Sequence, residues 1–128
     1  MKNLLRYWLP VFAYMAFIFY LSSRQEFPME APAWMFYADK LVHGTLYAGL
    51  GFLFLRALLR GGYSKIPILS VVLAVALASL YGITDEFHQS FVPGRTPDVQ
   101  DWIADTAGAA LVCFLFYAAR RLRPANIE

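Results

Sequence analysis

Four long apolar runs constrain the fold of this chain more than any other feature of its sequence. The runs are Leu4–Leu21, Leu41–Leu59, Ile66–Ile83 and Trp102–Ala119. Each has 18 or 19 residues, about 27 Å as an α-helix, close to the roughly 30 Å hydrocarbon core of a bilayer. A chain of 128 residues that is 59% hydrophobic could not hide so much apolar surface in a soluble fold. We therefore predict an all-α membrane protein, a single domain of four transmembrane helices in an antiparallel bundle.

The runs and their polar extensions predict helices over about residues 4–21, 39–59, 66–89 and 99–120. The first run has an alternative interpretation as a signal sequence, because Ala31-Pro32-Ala33 resembles a cleavage site. However, its apolar core is longer than the 7 to 15 residues of a signal, and it ends about ten residues before that site. We expect it to be retained as a span. Between the first two helices, residues 22–38 contain two prolines and an aromatic run of Trp34, Phe36 and Tyr37, which predicts a loop lying in the headgroup region.

Charge predicts the orientation of the helices. Eight of the eleven lysine and arginine residues fall on the side of both termini and the second loop, which is typical of the cytoplasmic side. Acidic residues follow the opposite distribution, although they were not used for the assignment. We therefore expect cytoplasmic termini and a polar face that opens away from the cytoplasm. The basic residues on the predicted cytoplasmic side are Lys2, Arg6, Arg56, Arg60, Lys65, Arg120, Arg121 and Arg123.

The second helix begins with polar residues that share one face. Asp39, His43 and Tyr47 are spaced i, i+4, i+8, so they form a stripe that descends two turns, with Lys40 beside it. The Asp39 carboxylate, one turn from His43, is expected to set the tautomer of the imidazole and raise its basicity. A structural alternative is that the stripe makes interhelical hydrogen bonds that hold the bundle together.

The third helix ends with Asp85, Glu86, His88 and Gln89. Asp85 and Gln89 share a face, whereas Glu86 and His88 point to other sides, so one ligand cannot contact all four residues. Adjacent carboxyl groups against an apolar wall suit a general acid or base. The alternative is that Asp85 or Glu86 forms a structural ion pair with Arg95 or Lys40.

Three acidic residues, Asp98, Asp101 and Asp105, begin the fourth helix on one face. Asp98 is expected to cap the helix, whereas Asp105 lies about a turn inside the membrane boundary and needs a partner, for which His43 is the best candidate. Arg95 follows a stiff Pro93-Gly94 turn. It suits a clamp on a phosphate or carboxylate, or it neutralises the surrounding acids.

The sequence contains no recognised metal or nucleotide motif. His43, His88 and the carboxylates offer ligands for a divalent metal, but no H-E-x-x-H spacing and no Gly-rich phosphate loop is present. We therefore predict no cofactor and no metal ligands, with a divalent metal left as an alternative. We expect membrane lipids as partners and no nucleic acid.

These motifs together resemble the VanZ-like family of small polytopic bacterial membrane proteins. The residues that carry the resemblance are Ser22-Ser23, Asp39-Lys40-x-x-His43-x-x-x-Tyr47, Asp85-Glu86-x-x-Gln89-x-Phe91-x-Pro93-Gly94-Arg95, and Asp101 followed by Gly108. The family often has asparagine where this chain has Asp105. The resemblance implies a multi-pass protein of the bacterial inner membrane. The family's namesake is associated with resistance to the glycopeptide teicoplanin, without a mechanism that transfers to this chain.

Our leading hypothesis is an outward-facing site that binds an anionic cell-envelope molecule, such as a lipid-linked precursor, and processes it as an acid–base hydrolase or transferase. The alternative is a non-enzymatic membrane partner or modulator of envelope enzymes. A transporter is disfavoured because four helices leave little protein for two gates. The predicted catalytic residues are His43, Asp85, Glu86 and Gln89. The predicted substrate-binding residues are Asp39, Lys40, Tyr47, Arg95, Asp101 and Asp105.

Overall fold

Four α-helices form the fold in the computed structural model, which describes residues 2–24, 32–61 and 67–122. They are α1 (Lys2–Ser22), α2 (Ala33–Arg60), α3 (Pro67–Gln89) and α4 (Val99–Leu122). All four are long and apolar enough to cross a membrane, and the described ranges contain no strand. The prediction of an all-α protein with four membrane-spanning helices is therefore confirmed.

The second helix begins earlier than its predicted start at residue 39. It starts at Ala33 and has 28 residues, about 42 Å of helix, which exceeds the hydrocarbon thickness. Pro32 precedes it with an extended backbone at φ −62° and ψ 151°, so the proline that suggested a loop instead stands at a helix start. Exposed Trp34, Phe36 and Tyr37 lie on the first turns of α2. The part of the predicted headgroup loop from residue 33 onward is thus helical, and residues 25–31 lie outside the described part of the chain.

The second helix is the centre of the bundle. It contacts each of the other helices, most extensively α4, whereas α1 and α3 touch only slightly. Buried apolar side chains from all four helices pack around it: Val11, Ile18, Leu50, Phe54, Leu55, Val71, Ala74, Ala78, Ala109 and Cys113. Many large apolar residues point outward, as expected for helices that face lipid. We call the end where α2 and α4 begin the acidic end, and the end where they finish the arginine end.

Small residues let α2 and α4 approach closely. A Cβ atom added to Gly108 would overlap the backbone carbonyl group of Gly44, and one added to Gly51 would lie 2.9 Å from the Cβ of Ala109. Small residues are the usual means by which membrane helices bring their backbones together. The close approach near Gly44 lies next to the predicted polar stripe of α2, so it also positions the polar side chains of the two helices.

The connection between α3 and α4 contains a tight turn. The Arg95 amide donates to the Val92 carbonyl at 3.1 Å, and Gly94 has a positive φ of 83°. Proline at the second position and a positive-φ glycine at the third are the signature of a type II turn. The Pro93-Gly94 pair therefore reverses the chain and directs it back toward the start of α4.

We expect Gly108→Ala to lower the thermal unfolding midpoint measured by circular dichroism in detergent. The new methyl group meets backbone, which cannot rotate away, and overpacking of this kind costs about 1–3 kcal/mol. Gly49→Ala is the matched control, because its Cβ would meet only the hydroxyl end of the Tyr14 side chain, while alanine raises helix propensity by about 1 kcal/mol. Equal midpoints for the two variants would contradict the proposed close approach.

Candidate functional site

A recess of about 360 Å³ lies at the acidic end between α1, α2 and α3. Its apolar wall comes from Ile18, Leu21, Val42 and Leu46. Six of the ten residues predicted to form the site line it, and they come from α2, α3 and the turn after α3. These six are Asp39, His43, Tyr47, Asp85, Gln89 and Arg95.

The imidazole of His43 lies between the recess and two carboxylates of α4. Its Nδ1 is 3.1 Å from Asp105 Oδ1, and its Nε2 is 3.8 Å from Asp101 Oδ2. The predicted pairing of Asp105 with His43 is therefore confirmed. Asp105 is 0% exposed, and a carboxylate can only accept, so Nδ1 is the donor in this hydrogen bond. Asp105 rather than Asp39 sets the tautomer, because Asp39 is largely exposed and pairs instead with Lys40 at 3.5 Å.

Lys40 occupies a carboxylate cluster beside the recess and does not line the recess. Its Nζ lies 2.7 Å from Asp98 Oδ2 and 2.5 Å from Asp101 Oδ1. The same ammonium group lies 4.7 Å from the centre of the Phe36 ring. The geometry thus gives Lys40 an ion-pairing role at the acidic end, and its contact with a substrate stays a prediction.

Asp98 links three elements at the acidic end. Its Oδ1 accepts from the Gln100 amide at 2.8 Å, which confirms the predicted helix cap, and its backbone amide donates to Glu86 Oε2 at 2.8 Å. The hydrogen bond from Lys40, helped by the Gln100 amide, holds the pKa of the Asp98 carboxyl below its ordinary value. A lowered pKa stabilises the fold above the ordinary aspartate value of about 3.9, and the contribution is lost as the pH falls through the lowered value.

The two adjacent acids of α3 have different surroundings. Asp85 is 5% exposed and lines the recess, whereas Glu86 faces α4 and the amide of Asp98. Neither carboxylate is within ion-pairing distance of a described cation, so the alternative of an ion pair with Arg95 or Lys40 is not found in the described ranges.

Several buried polar atoms near His43 have no hydrogen-bond partner among the described residues. They are Tyr47 Oη, Glu86 Oε1, Asp105 Oδ2 and Ser22 Oγ. An unsatisfied buried polar atom costs about 1–3 kcal/mol, so native proteins contain few of them. Their concentration around one imidazole distinguishes this region from an ordinary helix interface.

Arg95 reaches the recess together with Arg24 at the end of α1. The Arg95 Nε donates to the Arg24 carbonyl oxygen at 3.1 Å, and both residues line the recess. The sequence pattern did not identify Arg24 as a site residue, because it lies far from Arg95 along the chain. His88 lies outside the recess. Its Nε2 is 2.9 Å from Ser23 Oγ, and its ring stacks on Phe19.

Two sets of side chains have a geometry that could hold a metal ion. His43, Glu86 and Asp105 present ligand atoms within 4.8 Å of one another, and so do Asp39, His43 and Asp101. Imidazole nitrogen and carboxylate oxygen atoms are ligands that zinc and several other divalent ions accept. Both sets use His43, whose Nδ1 already contacts Asp105. The set with Glu86 and Asp105 also contains the two carboxylate oxygens that have no hydrogen-bond partner among the described residues.

Fold and site together define a multi-pass membrane protein of four helices, three of which enclose a polar recess at one end. Comparison with known families gives a match to VanZ/LLP1 over residues 5–120. The chain therefore belongs to this family, as the resemblance in its polar motifs indicated. Comparisons with curated proteins and with solved structures found no match.

We expect His43→Ala to destabilise the protein by about 3–5 kcal/mol, because it leaves the buried Asp105 carboxylate without its partner. Asp105→Asn should cost less, since the amide removes the charge but can still accept a hydrogen bond. The double variant should be more stable than His43→Ala alone. Denaturation midpoints of the four proteins in one detergent form a double-mutant cycle, and additive effects would contradict a direct interaction.

Proposed function

We propose that this protein lies in the bacterial cytoplasmic membrane, with its recess facing the cell exterior, and that the recess binds an anionic cell-envelope molecule such as a lipid-linked precursor. The observation that carries the proposal is the convergence of six predicted polar residues from two helices and a turn on one recess. Ionisable groups are costly at membrane depth and are retained there mainly for function.

Charge supports the outward orientation. Arg6, Arg56, Arg60, Arg120 and Arg121 belong to the arginine end. Lysine and arginine are retained on the cytoplasmic side of membrane proteins. The acidic end, with the recess, then faces the exterior.

The mixed lining of the recess supports an amphiphilic ligand. Apolar side chains from α1 and α2 form its apolar wall, and carboxylate, imidazole, amide and guanidinium groups form the rest of the lining. A lipid-linked precursor has the same division, with an anionic head and an apolar chain. In our proposal the chain follows the apolar wall, and the head meets the polar lining.

Two arginines provide the anion contact in this proposal. In this proposal Arg24, and not Lys40, binds the anion together with Arg95. Arg24 lines the recess, whereas Lys40 forms ion pairs with carboxylates. The hydrogen bond from Arg95 to the Arg24 carbonyl ties the turn after α3 to the end of α1. Arginine is suited to phosphate because its planar fork can donate two parallel hydrogen bonds.

The chemistry we propose is proton transfer between His43 and a carboxyl group. His43 takes a proton from the attacking hydroxyl group, while Asp85 or Glu86 gives a proton to the leaving oxygen. Asp85 and His43 line the same recess, and a Glu86 oxygen lies within 4.8 Å of a His43 nitrogen. Asp105 orients the imidazole through its hydrogen bond. No resident metal or cofactor is part of this proposal.

We expect Arg95→Gln to weaken binding of a short-chain isoprenoid phosphate to the purified protein by about tenfold or more. Loss of a hydrogen bond to a charged group costs about 1.5–3 kcal/mol, and 1.4 kcal/mol is a factor of ten. Isothermal titration calorimetry in detergent measures the change. Arg121→Gln removes the same charge at the other end and should bind normally. Wild-type affinity in the Arg24→Gln/Arg95→Gln double variant would contradict the anion contact.

Charge-conserving variants distinguish an enzyme from a binding partner. Asp85→Glu and Glu86→Asp move a carboxyl group by about one methylene, which should lower turnover about a hundredfold while ligand binding persists. Phosphate release or product chromatography from the isoprenoid phosphate measures turnover, and EDTA should leave it unchanged. If both variants retain full function in an envelope-stress assay, the protein acts instead as a non-enzymatic partner of envelope enzymes.

A further inference from the structure

The arginine end contains a second cavity of about 360 Å³, far from the recess. It lies between the start of α1 and the ends of α2 and α4, where α1 and α4 do not touch within the described ranges. Four of its lining residues are arginines: Arg6, Arg56, Arg60 and Arg120. We call this cavity the arginine pocket.

Among the described residues, no carboxylate balances the charge of the arginine pocket. None of its lining residues is acidic, and every ion pair that the described residues form lies at the acidic end. The chain has a single acidic residue, Glu128, in the sequence that follows α4, and it lies outside the described ranges. Four neighbouring cations repel one another unless an anion lies among them.

Aromatic rings hold the guanidinium groups without neutralising them. The Arg56 guanidinium lies 5.0 Å from the centre of the Tyr7 ring, and that of Arg6 lies 5.8 Å from the same ring. Arg120 lies 5.8 Å from the centre of the Phe116 ring. A ring contact leaves the charge and the hydrogen-bond donors in the plane of the guanidinium group available to an oxyanion.

Part of the pocket lining is apolar. Phe52, Leu55 and Leu59 form this apolar wall. Arg56 and Arg60 lie one turn apart near the end of α2, so cationic and apolar side chains of one helix line the same pocket. A phospholipid has the same combination, an anionic phosphate joined to apolar acyl chains. Basic pockets between helices on the cytoplasmic side are known to bind anionic lipid headgroups.

We infer that the arginine pocket binds an anionic glycerophospholipid, with its phosphate among the four arginines and an acyl chain along Phe52, Leu55 and Leu59. The bound lipid supplies the negative charge that the described residues lack at this end. It also fills the space between α1 and α4, which do not touch within the described ranges. This inference goes beyond the proposed function and holds whether or not the recess binds an envelope precursor.

Two adjacent arginines provide a matched test. Arg120 lines the pocket, whereas Arg121 does not, and its guanidinium contacts Tyr117 instead. Arg120→Gln and Arg121→Gln therefore remove the same charge at neighbouring positions of one helix. Native mass spectrometry of the full chain in neutral detergent, titrated with phosphatidylglycerol or phosphatidylcholine, measures apparent affinity for each lipid.

We expect wild type to bind phosphatidylglycerol more tightly than phosphatidylcholine, and Arg120→Gln to lose about fivefold in affinity for phosphatidylglycerol. Arg121→Gln should bind like wild type, and Arg56→Gln/Arg120→Gln should lose the preference between the lipids. Equal affinity of wild type for both lipids, or equal losses in Arg120→Gln and Arg121→Gln, overturns the inference. Arg120 is exposed, so its single variant decides the test if the double variant fails to fold.

A competition experiment separates a lipid from a soluble anion. Inorganic phosphate at the concentration of the lipid should leave bound phosphatidylglycerol in place, because it gains no contact with the apolar wall. Displacement by inorganic phosphate as effective as displacement by excess lipid would assign the pocket to a soluble anion and overturn the lipid assignment.

Discussion

The rest of the structure depends on the close approach of α2 and α4 at Gly44 and Gly108. Lys40 and His43 lie within one turn of Gly44, and Asp101 and Asp105 precede Gly108 on α4. Aspartate has a short side chain, so it reaches a lysine or histidine of the facing helix only where the backbones are close. A wider interface would leave Asp105 as an unpaired buried carboxylate, which is one of the most costly groups in a membrane.

The protein balances its charges differently at its two ends. At the acidic end, carboxylates of α4 meet Lys40 and His43 directly, and the contacts hold the imidazole at the wall of the recess. At the arginine end, aromatic rings hold guanidinium groups that have no acidic partner in the described ranges. The first arrangement fixes an imidazole and its carboxylate partners within the protein, whereas the second leaves the guanidinium groups for the anionic lipid that we infer. This contrast makes the two cavities suited to different ligands.

Much of the fold could be predicted because membrane helices are encoded locally. An apolar run of 18 residues is long enough to cross the bilayer whatever its neighbours do. The start of α2 was less predictable, since Pro32 is compatible with both a loop and a helix start. Whether the chain after Pro32 is loop or helix depends on whether the following aromatic residues form helical turns. The Pro93-Gly94 turn was predictable, because only glycine adopts the required positive φ without strain.

The sequence by itself determined the four spans, the polar faces of α2, α3 and α4, the family, and the need of Asp105 for a partner such as His43. These features follow from the spacing of residues along a helix and from the cost of placing a charge in lipid. Both can be judged from one helix without knowing its neighbours. Tertiary structure alone decided that Lys40 turns to the carboxylates of α4, that Arg24 joins Arg95 at the recess, and that four arginines share one pocket. Those outcomes depend on the distances between helices. The helical period specifies the face of its own helix on which a residue lies, but it does not specify which neighbouring helix packs against that face.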